Sequence, residues 1–210
     1  MKERIRAILF DMDGVLVDAK DWHYEALNKA LRLFGYEISR YEHEHAFDGL
    51  PTKEKLKMIS KRYYLPEQLH PFINEIKQDF TMDYIMQYCH PVFSHEYALS
   101  KLKAENYKIA VCSNSIRNTI EVMMEKSGLM PFLDLIVSNE DVAQSKPDPE
   151  IYLKAMDALN VKPDECVICE DNINGITAAL ASGGNLLKIN DVSNVNYENI
   201  TNYIRELEMG

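Results

Sequence analysis

The 210-residue chain has little of several things: one tryptophan, four cysteines, eight glycines, and no apolar run approaching a membrane span. Spanning a bilayer takes about 20 consecutive apolar residues, whereas the first apolar run, Ala7 to Phe10, stops at Asp11. Behind Met1-Lys2-Glu3-Arg4-Ile5-Arg6 it is also too short for the apolar region of a signal peptide. Basic residues are scarce relative to acidic ones, 23 Lys and Arg against 33 Asp and Glu, for a net charge of −10. Such a field repels nucleic acids and anionic membranes, so neither is expected as a partner, and an anionic ligand needs a locally positive site. Three of the four cysteines, Cys112, Cys166 and Cys169, lie in strand-like apolar runs, and with Cys89 they read as buried reduced thiols of a cytoplasmic protein. Cys166 and Cys169 stand three apart, on opposite sides of a strand, and so do not pinch a metal. There is no internal repeat or low-complexity segment.

What is present, 46% apolar and 27% charged residues, is an ordinary globular composition. Buried strands are expected at Arg6 to Phe10, Lys108 to Cys112, Leu133 to Ser138, Cys166 to Cys169 and Asn185 to Ile189. Helices fit between them, including 94–106, 115–127 and 149–159, the last opened by Asp148 as N-cap and Pro149 at the first helical position. Strands alternating with helices predict an α/β fold, a Rossmann-like parallel-sheet core. Roughly ninety residues separate the first two strands, far more than a crossover needs, so a domain has been inserted. Within it Trp22, Ala26, Ala30 and Leu33, then Leu69, Phe72, Ile76, Phe80 and Tyr84, keep helical spacing. The expected organisation is a catalytic core at 1–17 and 89–210 and a small all-helical cap at 18–88, with hinges at 15–18 and 89–91.

The chemistry gathers at strand ends. Asp11 and Asp13 follow the first strand, and the two-residue period turns both carboxylates to one side, with Gly14 allowing a close turn after them. The second strand leads to Ser113 and Asn114, with Ser115 as the expected N-cap of the next helix, an arrangement suited to phosphate. The fourth leads to Glu170 and Asp171, and Gly175, Ala178, Ala179 and Ala181 let the helix after it pack closely. Ligands of open α/β sheets bind beyond these carboxyl ends. Carboxylates converging there repel by roughly 4 kcal/mol per pair about 4 Å apart at an effective dielectric of 20. A hard divalent cation such as Mg²⁺ relieves this, and Lys146 adds a point charge.

In this order, Asp11-Met12-Asp13-Gly14-Val15-Leu16-Val17-Asp18, Ser113-Asn114-Ser115, Lys146-Pro147-Asp148-Pro149 and the run from Glu170 to Ala179 resemble the haloacid dehalogenase superfamily. The resemblance is to its branch of β-phosphoglucomutase-like phosphatases with a helical cap after the first strand. It implies that Asp11 is a nucleophile forming an aspartyl-phosphate and that Asp13 is the acid and base. Ser113, Asn114 and Lys146 would hold the phosphoryl group. Mg²⁺ would be bound by the Asp11 carboxylate, the Asp13 backbone carbonyl and Asp171, with Glu170 a direct or water-mediated partner. Asn172 stands where the family commonly has serine.

The implied activity is a Mg²⁺-dependent phosphatase acting on a small phosphorylated metabolite as a monomer, with a phosphosugar mutase as the alternative. Mutases of this branch grip a second phosphate with basic side chains in the cap loop, where this chain has Asp48 and Thr52, with Lys53 as its candidate cation. His23 matches a mutase histidine, and these four are the expected specificity residues. Asp13 and Asp171 argue against a halide-releasing enzyme. Asp-x-Asp alone also occurs in glycosyltransferases, and phospho-receiver modules share the strand-end carboxylates and lysine but are about half this length and uncapped. His43-Glu44-His45 reads as solvated cap surface, since helical neighbours two apart do not share a face.

Overall fold

The structure, a computed structural model, describes residues 4–209. Met1 to Glu3, the start of the N-terminal segment, lie outside the described residues. The chain divides into two compact units: one runs to Asp18 and resumes at His90, the other spans Ala19–Cys89. Each crossing lies one residue beyond the border expected from sequence.

The first unit is an α/β domain. Strands β1 (Ala7–Phe10), β2 (Lys108–Cys112), β3 (Leu135–Val137), β4 (Cys166–Glu170) and β5 (Asn185–Lys188) form one sheet in the order β3-β2-β1-β4-β5. Every pairing is parallel. All four residues of β1 are fully buried, as a central strand covered on both faces requires. Alternation assigns them to two faces. Ala7 and Leu9 join Cys166 and Ile168 of β4 in one core, closed by Ile151, Tyr152, Ala155 and Met156 and by Ala178 and Ala179.

The helices, in chain order, are α1 (Lys20–Arg32), α2 (Arg40–Glu42), α3 (Thr52–Tyr63) and α4 (His70–Tyr88) in the second unit. In the first come α5 (Phe93–Ala104), α6 (Arg117–Lys126), α7 (Glu150–Leu159), α8 (Ile173–Ser182) and α9 (Tyr197–Met209). The second unit is all-helical among the described residues, built around Leu27, Leu31, Ile38, Phe47, Leu56, Ile59 and Ile73.

Several local expectations need correction. Ser115 is not the N-cap of α6; Ile116 holds that place, and the Arg117 N–H is received by Glu140 Oε2 at 2.7 Å. Helix α7 begins at Glu150 rather than Pro149, though Asp148 Oδ1 still accepts the Glu150 N–H at 2.9 Å. In α4 the buried line is Ile73, Lys77, Thr81 and Ile85, displaced by one residue from the apolar stripe, because two polar side chains occupy the inner face. Phe72 and Leu33 are exposed instead, as is Ala181 in α8. His43 is buried, not solvated, because it opens a π-turn (His43–Phe47) that carries its ring inward against Tyr24, centroids 5.1 Å apart.

Candidate active site

The register of β1 and β4 places the site. Leu9 pairs with Ile168 and Phe10 with Cys169, so Asp11 and Glu170, the next residues, leave the sheet side by side on the α7–α8 face. The Asp11 N–H continues the ladder to Cys169 O at 3.0 Å. The chain then turns sharply, Met12 O receiving the Leu16 and Val17 N–H groups at 2.9 and 3.0 Å, with Gly14 at φ +87°, a conformation that favours glycine.

Lys146 binds this pair together. Its ammonium, buried, donates to Asp11 Oδ1 at 2.7 Å, to Glu170 Oε1 at 2.6 Å and to Cys112 O at 2.7 Å. All three of its protons are engaged within the protein. Burial opposes the charge on Lys146, but Asp11 and Glu170 outweigh it and raise its pKa above the ordinary lysine value. For Asp11, burial pushes the pKa up and Lys146 pulls against it.

Asn114 anchors the lysine's backbone: its Oδ1 accepts the Lys146 N–H at 3.0 Å and its Nδ2 donates to Lys146 O at 3.2 Å. The Lys146–Pro147 peptide is cis. Ser113 is buried at the end of β2, its Oγ accepting the Ser115 N–H at 3.1 Å, and Ser115 Oγ donates to Asp13 Oδ2 at 3.2 Å. The Asn172 side chain caps α8 by accepting the Asn174 N–H at 2.9 Å. Asp11, Asp13, Ser113, Asn114, Lys146, Glu170 and Asp171 thus share the carboxyl rim of β1, β2 and β4.

Three carboxylates, those of Asp11, Glu170 and Asp171, each offer an oxygen within 4.8 Å of the others. An all-oxygen donor set suits Mg²⁺ rather than a softer ion. The Asp13 carboxylate stands outside this trio and accepts from Ser115 Oγ.

The other residues that the sequence singled out lie in the helical unit. His23 Nδ1 is 3.3 Å from the Lys77 ammonium, and Asp48 faces Lys20 at 3.6 Å. Thr52 opens α3, half-buried, and Lys53 is exposed. Sequence reasoning missed Lys20 as a partner of Asp48, and it missed Lys55 and Lys77, both buried. Spacing from Leu56 and Ile59, or from Ile73 and Ile85, would have put the two lysines on inner faces had cations been admitted there. Tyr152, whose hydroxyl donates to Glu170 Oε1, was missed as well.

A sequence profile of the haloacid dehalogenase-like hydrolases matches residues 8–189. The chain is 28% identical to a phosphorylated carbohydrates phosphatase of Thermotoga maritima, over 85% of this chain and 82% of that one. It is 30% identical to a probable pseudouridine-5'-phosphatase of Saccharomyces cerevisiae, over 87% and 81%. Among solved structures it resembles β-phosphoglucomutase of Clostridium difficile, with a TM-score of 0.85, 26% identity and coverage of 98% and 100%. With a parallel sheet that carries its acidic residues on one carboxyl rim, the chain belongs to the haloacid dehalogenase-like hydrolases and is a phosphatase of the phosphoric monoester hydrolase class.

Proposed function

We propose that the protein hydrolyses a small organic phosphomonoester in two steps through an aspartyl-phosphate on Asp11, with Mg²⁺ as cofactor. The observation that carries this reading is the buried Asp11 carboxylate, held at 2.7 Å by Lys146 within a trio of metal-competent carboxylates. In the first step an Asp11 oxygen bonds to phosphorus, the ester P–O bond breaks, and Asp13 gives its proton to the departing alkoxide. In the second, water attacks phosphorus, returns a proton to Asp13, and the Asp11–phosphorus link breaks to release inorganic phosphate. Lys146 fixes the Asp11 rotamer and keeps positive charge beside it, and Asn114 in turn fixes Lys146. Bound Mg²⁺ would supply the charge that lets an anionic nucleophile approach an anionic phosphate. Asp11, Glu170 and Asp171, with the Asp13 carbonyl, are the residues proposed to hold it. The Ser113 hydroxyl is proposed to bind the transferring group.

The likeness to a β-phosphoglucomutase structure keeps phosphoryl transfer to a second hydroxyl in view as the alternative outcome. The pairing of Asp48 with Lys20 leaves the cap loop without a net basic character there, which supports hydrolysis. His23, Asp48, Thr52 and Lys53 are the proposed specificity residues.

The test is a panel of sugar, polyol, amino-alcohol and nucleoside monophosphates with Mg²⁺, scored for inorganic phosphate and for isomerised substrate. Phosphate release is expected, with Asp11→Asn slower by about a thousandfold or more and forming no acid-stable phosphoenzyme. Isomerised product as the main outcome would establish the mutase, and substantial turnover by Asp11→Asn would remove the nucleophile assignment.

A further inference from the structure

Tyr152 is fully buried on α7, within the apolar core beneath β1 and β4, yet its hydroxyl reaches a charged group: it donates to Glu170 Oε1. The same ring carries the Lys146 ammonium 4.9 Å from its centroid. Glu170 Oε1 therefore receives two donors, Lys146 Nζ at 2.6 Å and the Tyr152 hydroxyl, while Oε2 receives the Asp171 N–H at 3.2 Å. A third boundary is Gly175, where a Cβ would fall 1.9 Å from Oε1. The Glu170 carboxylate cannot rotate without breaking both bonds on its inner oxygen. An apolar residue at 152 would fill the same core volume, so the hydroxyl serves the carboxylate rather than the packing.

We propose that Tyr152 is a positioning residue for the metal: acting through Glu170, it holds that carboxylate in the orientation in which Asp11, Glu170 and Asp171 bind one cation together. Partners behind a ligand restrict its rotation and raise its effectiveness, and their removal typically weakens metal binding about 10- to 100-fold. Lys146 alone does not replace this restraint, because its three protons are already divided among Asp11, Glu170 and Cys112.

This inference rests on the metal reading above, and the experiment separates the two. Mg²⁺ alone is titrated calorimetrically into wild type, Asp171→Asn, Tyr152→Phe, Glu170→Gln and the Tyr152→Phe/Glu170→Gln double variant, with circular dichroism confirming folding. Wild type is expected to bind Mg²⁺ and Asp171→Asn to lose most of that binding. Tyr152→Phe is expected to bind at least about tenfold more weakly, with turnover restored as Mg²⁺ is raised. In the Glu170→Gln background the second substitution should change the affinity less than twofold. If Asp171→Asn loses binding but Tyr152→Phe stays within twofold of wild type, the role of Tyr152 is overturned and the metal site stands. If Tyr152→Phe turns over slowly at every Mg²⁺ concentration with an unshifted midpoint, the role is likewise overturned. If Asp171→Asn binds as wild type does, the metal reading falls and this inference with it.

Discussion

In the α/β unit a buried lysine is held by two carboxylates at 2.7 and 2.6 Å and rests against a tyrosine ring, whereas in the helical unit His43 is buried with neither ring nitrogen hydrogen-bonded. Burial, with Lys55 adding to it, pushes the His43 pKa down to about 4, so that ring is neutral in the folded protein. One unit keeps its buried lysine charged by pairing it with carboxylates; the other keeps its histidine uncharged by excluding water. The first solution gathers charge at the carboxyl rim of the sheet, and the second makes the helical packing sensitive to acid.

Removing the cation from the paired network is the strongest way to break this contrast. Lys146→Met keeps most of the side-chain volume but removes the buried cation that Asp11 and Glu170 share, and breaking one partner of such a pair costs about 3–5 kcal/mol. Urea unfolding in chelator at pH 7 to 8 should show that loss. A stability within 1 kcal/mol of wild type under those conditions would mean that water reaches the network.

The helical unit should lose stability in acid, as a paired carboxylate does, but by a different mechanism. A base whose folded pKa of about 4 lies below its ordinary value of 6.5 takes up its proton mainly on unfolding. Its contribution is complete above about pH 6.5 and is lost progressively as pH falls towards 4, by about 3 kcal/mol at most. His43→Phe, which keeps a ring against Tyr24, should flatten that acid limb in a series of melts from pH 7.5 to 4. An unchanged slope would place the acid sensitivity elsewhere.

A smaller effect sharpens the α/β side. Gly175→Ala drives a methyl into the Glu170 carboxylate, which Lys146 and Tyr152 keep from moving aside, so a loss of about 2 kcal/mol is expected from overpacking. Gly35→Ala in the helical unit is the control for space, because a Cβ there meets nothing within 4 Å and its φ of +78° is the sole strain. If both variants lose the same stability, the close fit around Glu170 carries no energetic weight.

Much of this contrast could be read from sequence, but unevenly. The sheet and its rim were legible because strand periodicity fixes which side Asp11 and Glu170 take, and because β1 and β4 are apolar throughout the residues that they pair with each other. Lys146 was legible as a charge, though not as a side chain engaged on three sides, since its partners are 135, 34 and 24 residues away. Tyr152 looks like any apolar helix residue until the carboxylate beside its hydroxyl is seen. His43 was misread because a π-turn breaks the 3.6-residue period on which the solvated reading rested. In α4 the inner face holds Lys77 and Thr81, so a search for apolar spacing found the neighbouring stripe.

The strand order also dictates when the molecule can acquire activity during its own synthesis. β1 is made first, yet both strands that flank it, β2 and β4, are made roughly a hundred or more residues later. A nascent chain therefore presents an unpaired apolar strand ending in Asp11 for most of its translation, the kind of exposed edge that chaperones shield. Until Glu170 and Asp171 have left the ribosome the carboxylate trio does not exist, and a product truncated before them carries Asp11 without the two carboxylates that complete the cluster.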